Sequence, residues 1–83
     1  MKIQLRFFAS LREALGAQTV LELAEGASVG TARAALRAQG EPFASALAPG
    51  RALRAALNQT LCDEAAALQD GDELAFFPPV TGG

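Results

Sequence analysis

From Lys2 to Ala9 the chain alternates, with Ile3, Leu5 and Phe7 on one side and Lys2, Gln4, Arg6 and Phe8 on the other. Successive side chains of an extended backbone point to opposite faces, so this period of two predicts a strand with one buried face. Phe8 is the odd member, an aromatic on the polar side. Ser10, with Glu13 three residues later, reads as a capping box that opens a short helical piece ending at Leu15, and Gly16 is placed to stop it. Gln18 to Leu23 alternates again and predicts a second strand, in which Val20, Leu21 and Leu23 compete for the inner face before a turn at Glu25-Gly26. Together these segments read as a hairpin with a helical decoration.

The period changes after Ser28. Val29, Ala32 and Leu36 recur at helical spacing as far as Gln39, with Gly40 just past the end, which predicts the main helix. Between Glu41 and Gly50 the residues Pro42, Pro49 and Gly50 break regular structure, while Phe43 and Leu47 are spaced to pack one helical turn on the core. Leu53 to Leu57 predicts a short strand, Asn58-Gln59 a tight turn, and Gln69-Asp70-Gly71-Asp72 the turn before a last strand from Glu73 to Phe77. The order is strand, strand, helix, then two or more strands. A helix crossing between sheet halves is right-handed by rule, which sets the first and last strands side by side in parallel. The expected architecture is α+β: a β-grasp, a mixed sheet packed on one main helix, as a single domain over residues 1–83. Leu74 and Phe76 of the last strand then face the helix, whereas Glu73, Ala75 and Phe77 face away. Phe77 joins Phe8 outside, and unless the piece around Leu11 to Leu15 covers it, the pair makes an apolar patch of the kind that marks a partner surface.

At 83 residues the chain is just long enough for one apolar core. Its 51% hydrophobic and 19% charged residues fit a globular fold and exclude disorder. The net charge is −2, and Lys2 with six scattered arginines forms no basic run, so nucleic acid is not an expected partner. No apolar run approaches the roughly 18 residues of a membrane span, and no export signal opens the chain. A cytoplasmic protein with no membrane partner is expected. The one cysteine, Cys62, has no second cysteine for an internal disulfide.

The chain contains no histidine, which excludes the usual catalytic triads and zinc sites. No glycine-rich phosphate loop occurs, so any nucleotide must be held by another protein. Asp70-Gly71-Asp72-Glu73 lacks the spacing of a calcium loop and reads as a turn, and no metal site is expected. Cys62 lies among Leu61, Asp63 and Glu64, none of which lowers a thiol pKa, so it reads as a packing or surface residue. What remains is the ending, Phe76-Phe77-Pro78-Pro79-Val80-Thr81-Gly82-Gly83. Glycine has no Cβ, so a terminal pair threads a narrow channel and brings its carboxylate close to another reactive centre. Pro78 and Pro79 hold the approach extended and cannot donate as central-strand residues.

The segments Phe7-Phe8-Ala9, Leu11-Arg12-Glu13, Asn58-Gln59-Thr60-Leu61 and above all Asp70 to Gly83 resemble the small subunit of molybdopterin synthase, the MoaD-type sulfur carriers. The last fourteen residues are the specific part; Ala24 to Arg51 carries only a generic helix and loop. The resemblance implies a ubiquitin-like β-grasp protein that is the sulfur-donor subunit of a heteromeric sulfurtransferase, with no catalytic side chains of its own. Gly83 would be adenylated by an E1-like activating enzyme of the MoeB type, which uses ATP. A sulfur donor such as a cysteine desulfurase or a rhodanese would then convert it to a thiocarboxylate. The tail, Pro78, Pro79, Val80, Thr81, Gly82 and Gly83, would enter a MoaE-type large subunit. There it would donate the dithiolene sulfurs to cyclic pyranopterin monophosphate, two carriers flanking a dimer of large subunits. By motif position Phe8, Arg12, Leu61 and Phe77 would meet that subunit. No cofactor bound by the chain itself is implied. Three other readings stay open: a sulfur carrier for thiamine or cysteine synthesis, a ubiquitin-like protein modifier, and a plain interaction domain using the Phe8 and Phe77 face.

Overall fold

The first strand, β1 (Lys2–Phe7), shows the burial its alternation dictates, with Ile3, Leu5 and Phe7 inside and Lys2, Gln4 and Arg6 out. The structure, a computed structural model, describes residues 1–79. Ala9, with a positive φ of 54°, turns the chain out of β1 into α1 (Ser10–Leu15). Here the expected capping box does not form. Ala9 is the N-cap and its carbonyl accepts from Arg12 and Glu13, so Ser10 already lies inside the first turn and no side chain caps this helix. Gly16, at φ 90°, ends it as expected. Leu11 is the one residue of α1 that is buried, locking the piece onto the core beneath it.

β2 (Gln18–Glu22) pairs antiparallel with β1 and places Leu21 opposite Ile3 and Val20 opposite Gln4. Paired residues share a face, so Leu21 is buried and Val20 stands 58% exposed on the outside. Of the competing side chains, register selects Leu21, and Leu23 on the same side packs partly buried against the core.

The main helix, α2 (Val29–Ala38), is opened by Ser28, whose hydroxyl accepts from Thr31 N–H at 3.2 Å while Thr31 Oγ1 accepts from Ser28 N–H at 3.1 Å. The capping box of this protein is therefore Ser28 with Thr31. The first N–H groups of a helix lack partners within it, and here Val29 and Gly30 donate to the carbonyls of Ala66 (3.0 Å) and Glu64 (2.9 Å). Gly30 suits that approach, because a Cβ there would crowd the Glu64 carbonyl at 3.3 Å. Val29, Ala32 and Leu36 are buried, as their spacing predicts. A single turn, α3 (Phe43–Ala46), then packs Leu47 fully into the core, and the Phe43 ring lies 6.2 Å from that of Phe7.

β3 (Arg54–Leu57) and β4 (Thr60–Cys62) form a hairpin through Asn58 and Gln59, both at positive φ (49° and 70°), the geometry of a two-residue turn that follows strand twist. β5 (Glu73–Phe77) inserts parallel to β1 and antiparallel to β3. The sheet runs β2-β1-β5-β3-β4, the expected mixed β-grasp order. Leu5 aligns with Leu74, and Phe7 and Ala55 with Phe76, so one face of the sheet closes on α2. Each fully buried large side chain in that core contributes about 1.5–3 kcal/mol. Ala75 faces away, opposite Arg6 and Ala56, yet is only 7% exposed because a single methyl in the middle strand is overtopped by its neighbours.

Arg33 is the element that periodicity does not reveal. It lies on the buried side of α2 at 7% exposure, in a position that spacing assigns to an apolar residue. Its Nε donates to the Leu47 carbonyl at 2.8 Å, Nη1 to Glu64 Oε2 at 2.7 Å, and Nη2 to the carbonyls of Ala48 and of Arg51 at 3.0 Å. One guanidinium thereby ties the main helix to the irregular loop after α3 and to the segment after β4. Replacing Arg33 with Met strands those carbonyls, while the half-exposed Glu64 returns to water, and stability should fall by about 3 kcal/mol. Urea denaturation followed by circular dichroism checks this; a loss under about 1 kcal/mol would show that the loop holds without the guanidinium.

Candidate functional site

β5 is the middle strand, so whatever follows Phe77 departs from the centre of the sheet and not from an edge. Pro78 and Pro79 are half-buried and lack the N–H needed to continue a ladder, which ends pairing where β5 ends. The remaining tail positions singled out above, Val80, Thr81, Gly82 and Gly83, lie outside the described residues.

Around this exit the outer face of the sheet collects apolar side chains. Phe8 extends β1 by one residue, donates its N–H to the Phe76 carbonyl at 3.3 Å, and is 39% exposed. By the β1–β5 register it falls beside Phe77, which is half-buried and paired with Arg54 of β3. α1 turns Leu11 into the core and leaves Phe8 uncovered. Leu61 of β4 is 59% exposed and completes a cross-sheet row of Arg6, Ala75, Ala56 and Leu61. Phe8, Leu61 and Phe77 thus share one face. Arg12 does not join them on the sheet; it stands exposed in the last turn of α1.

Arg6 was not singled out from the sequence, although alternation placed it on the same side as Phe8. Its guanidinium carbon lies 5.4 Å from the centre of the Phe8 ring, a cation–π contact, and Nη1 is 3.6 Å from Glu73 Oε1. The ring is thereby held on the surface by a charge that is itself partly exposed. Cys62, on β4, stands opposite the buried Ala55 and packs half-buried against the core. Burial, and then the charge of Asp63, push its thiol pKa up. Among the described residues no group of three His, Cys, Asp or Glu side chains is arranged to hold a metal, and no helix is long and apolar enough to cross a membrane. The arrangement is an exposed apolar face beside the end of β5, and among the described residues no nucleophile and base are brought together on it.

Comparison with known proteins shows the family of the chain. The model of the ThiS family matches residues 5–83. The chain belongs to the ThiS family. Among relatives of this ThiS-family chain, the molybdopterin synthase sulfur carrier subunit of Escherichia coli (strain K12) is 46% identical over 81 residues, covering 98% of this chain and 99% of the relative. The small archaeal modifier protein 3 of Haloferax volcanii is 33% identical, with both chains covered in full. Among solved structures, SAMP1 from Haloferax volcanii superposes with a TM-score of 0.81 at 29% identity over the whole of both chains. Subunit 1 or 2 in a complex of the molybdopterin-converting factor from Helicobacter pylori 26695 matches at 0.69 and 27% identity, again over the whole of both chains. The resemblance to molybdopterin synthase sulfur carriers and the β-grasp fold, both read from the sequence, are borne out.

The raised pKa of Cys62 leaves less thiolate at a given pH than in a free cysteine. Alkylation by iodoacetamide at pH 8 should therefore run several-fold slower than that of a small thiol, with its rise displaced to higher pH. A rate equal to or above the small-thiol reference would mean that the thiol is more open than its packing indicates.

Proposed function

We propose that this chain is the sulfur-carrier subunit of a molybdopterin synthase, one unit over residues 1–83 whose working end is the tail at 78–83. The observation that carries the reading is the 46% identity to a curated carrier subunit along practically the full length of both chains. A match to a structure of molybdopterin-converting factor subunits in complex supports a second, larger subunit as partner.

In this reading Gly83 is both substrate and reagent. An E1-like enzyme joins its carboxylate to the α-phosphate of ATP, releasing pyrophosphate. The persulfide of a cysteine desulfurase or rhodanese then displaces AMP to form an acyl disulfide, and a thiol cleaves that S–S bond, leaving the thiocarboxylate and itself ending in a disulfide. A glycine suits both steps because no side chain crowds the carbonyl carbon. The large subunit then supplies the catalytic side chains that transfer sulfur to cyclic pyranopterin monophosphate, while Phe8, Leu61, Phe77 and Arg12 dock against it. The chain itself holds no cofactor, and the cycle runs in the cytoplasm. Half-buried prolines at the root of the tail limit its freedom before docking, which lowers the entropy lost on insertion.

One observation favours a second reading. Full-length similarity to a small archaeal modifier protein is compatible with transfer of the same glycine to lysine amines of other proteins. Intact mass of the chain from its own cells separates the two. A fraction heavier by the difference between sulfur and oxygen, mapped to Gly83, marks a carrier, whereas thiol-resistant conjugates to other proteins mark a modifier.

Gly83→Ala, or one residue added after it, should abolish sulfur transfer while leaving the melting temperature and large-subunit affinity nearly unchanged; normal molybdopterin formation by either variant would refute the mechanism. Phe77→Ala should weaken large-subunit binding by about 2 kcal/mol, more than it costs in folding, as for a central interface aromatic. Titration calorimetry paired with urea denaturation compares the two losses.

A further inference from the structure

We infer that Arg6 and Arg54 make the docking face charge-selective, so that the partner it fits is a large subunit with carboxylates rimming the pocket for Phe8 and Phe77. The inference rests on the carrier reading above and goes beyond it in assigning two arginines that the motif resemblance does not include.

Register fixes where the charges stand. Phe77 pairs with Arg54 and lies beside Phe8, and the next row inward holds Arg6, Ala75, Ala56 and Leu61. Two alanines floor that row, so the face is low at its centre, with Phe8, Phe77 and Leu61 standing around it. Arg6 and Arg54 flank this apolar ground on opposite sides of β5. In a chain of net charge −2, cations border the apolar surface.

Among the described residues the fold commits these cations only in part. Arg33 spends its guanidinium on three carbonyls and Glu64. Arg54 is exposed and makes no ion pair or side-chain hydrogen bond among the described residues. Its neighbours do not neutralise it: Asp63, just past β4, accepts from Ala65 N–H at 2.9 Å and forms no ion pair with it. Arg6 meets one acid, Glu73, at 3.6 Å with both side chains partly exposed, a contact loose enough for a partner carboxylate to displace or extend.

Covering the apolar ground removes water from both guanidiniums. A neutral or basic partner would leave them desolvated and unpaired, whereas carboxylates at the rim accept two N–H groups each and raise the encounter rate by steering. The arginines act on recognition and not on the chemistry at the tail.

The test is association with the large subunit from the same source, measured by stopped flow at about 50 mM and about 500 mM salt, where screening lengths differ severalfold. Arg6→Gln/Arg54→Gln should bind roughly tenfold more slowly than wild type at low salt, with the two converging at high salt. Arg54→Lys, which keeps the charge, should retain most of the wild-type rate. Equal rates for wild type and the double variant at low salt, with both carriers folded by circular dichroism, would overturn the inference and leave the carrier reading intact. Failure of wild type itself to bind the large subunit would overturn both.

Discussion

The insertion of the last strand between β1 and β3 is the constraint on which the rest depends. Residues at opposite ends of the sequence meet there, Leu5 with Leu74 and Phe7 with Phe76, and the ladder between them carries the inner faces of both strands into one core. Gln4 N–H bonds to the Asp72 carbonyl, Lys2 N–H to the Asp70 carboxylate and Gly71 N–H to the Lys2 carbonyl, so the turn before β5 is stitched to the start of β1. Because a parallel neighbour requires a long connection, everything between β1 and β5 is in effect the crossover: a hairpin partner, the main helix, an irregular loop and a second hairpin. β5 is thereby paired on both sides, with β1 and with β3, and pairing stops at two prolines.

A sheet closed by helices on one side has a second face to dispose of, and this protein treats its two halves differently. Near the Gln69–Asp72 turn the outer positions are polar apart from Val20, with Lys2 opposite Glu22 and Gln4 beside Glu73. Near the tail they are Phe8, Phe77, Ala75, Ala56 and Leu61, bordered by arginine. Nothing in the folding of an isolated domain requires that second composition, since the inner face alone supplies the core. The cation–π contact between Arg6 and Phe8 holds an aromatic ring at the surface, where it costs little in stability and remains available to a partner.

Much of this was legible beforehand. Period-two and helical spacing placed β1, α2 and β5, the Asn58-Gln59 turn and the outward Phe8 and Phe77, because each follows from a local repeat of side-chain direction. Ser10 was misread: a serine three residues before a glutamate has the pattern of a capping box, but a positive φ at Ala9 starts the helix one residue earlier. The choice between Val20 and Leu21 was open because neighbouring apolar residues satisfy either phase of an alternation, and pairing with Ile3 settled it. Arg33 gave no signal, since its acceptors are backbone carbonyls 14 to 18 residues away and one carboxylate 31 residues away.

By itself the sequence determined the element types, the inner faces of β1 and β5, and the family, because these are properties of spacing and of motif that survive without knowledge of contacts. Tertiary structure alone decided that Arg33 is spent on the fold while Arg54 is exposed and, among the described residues, makes no ion pair, and that Arg6 and Leu61 share the face of Phe8 and Phe77. The reason is physical: side-chain direction repeats locally along an extended or helical backbone, but which strands lie side by side, and which carbonyls a buried guanidinium meets, depends on chain segments far apart in sequence.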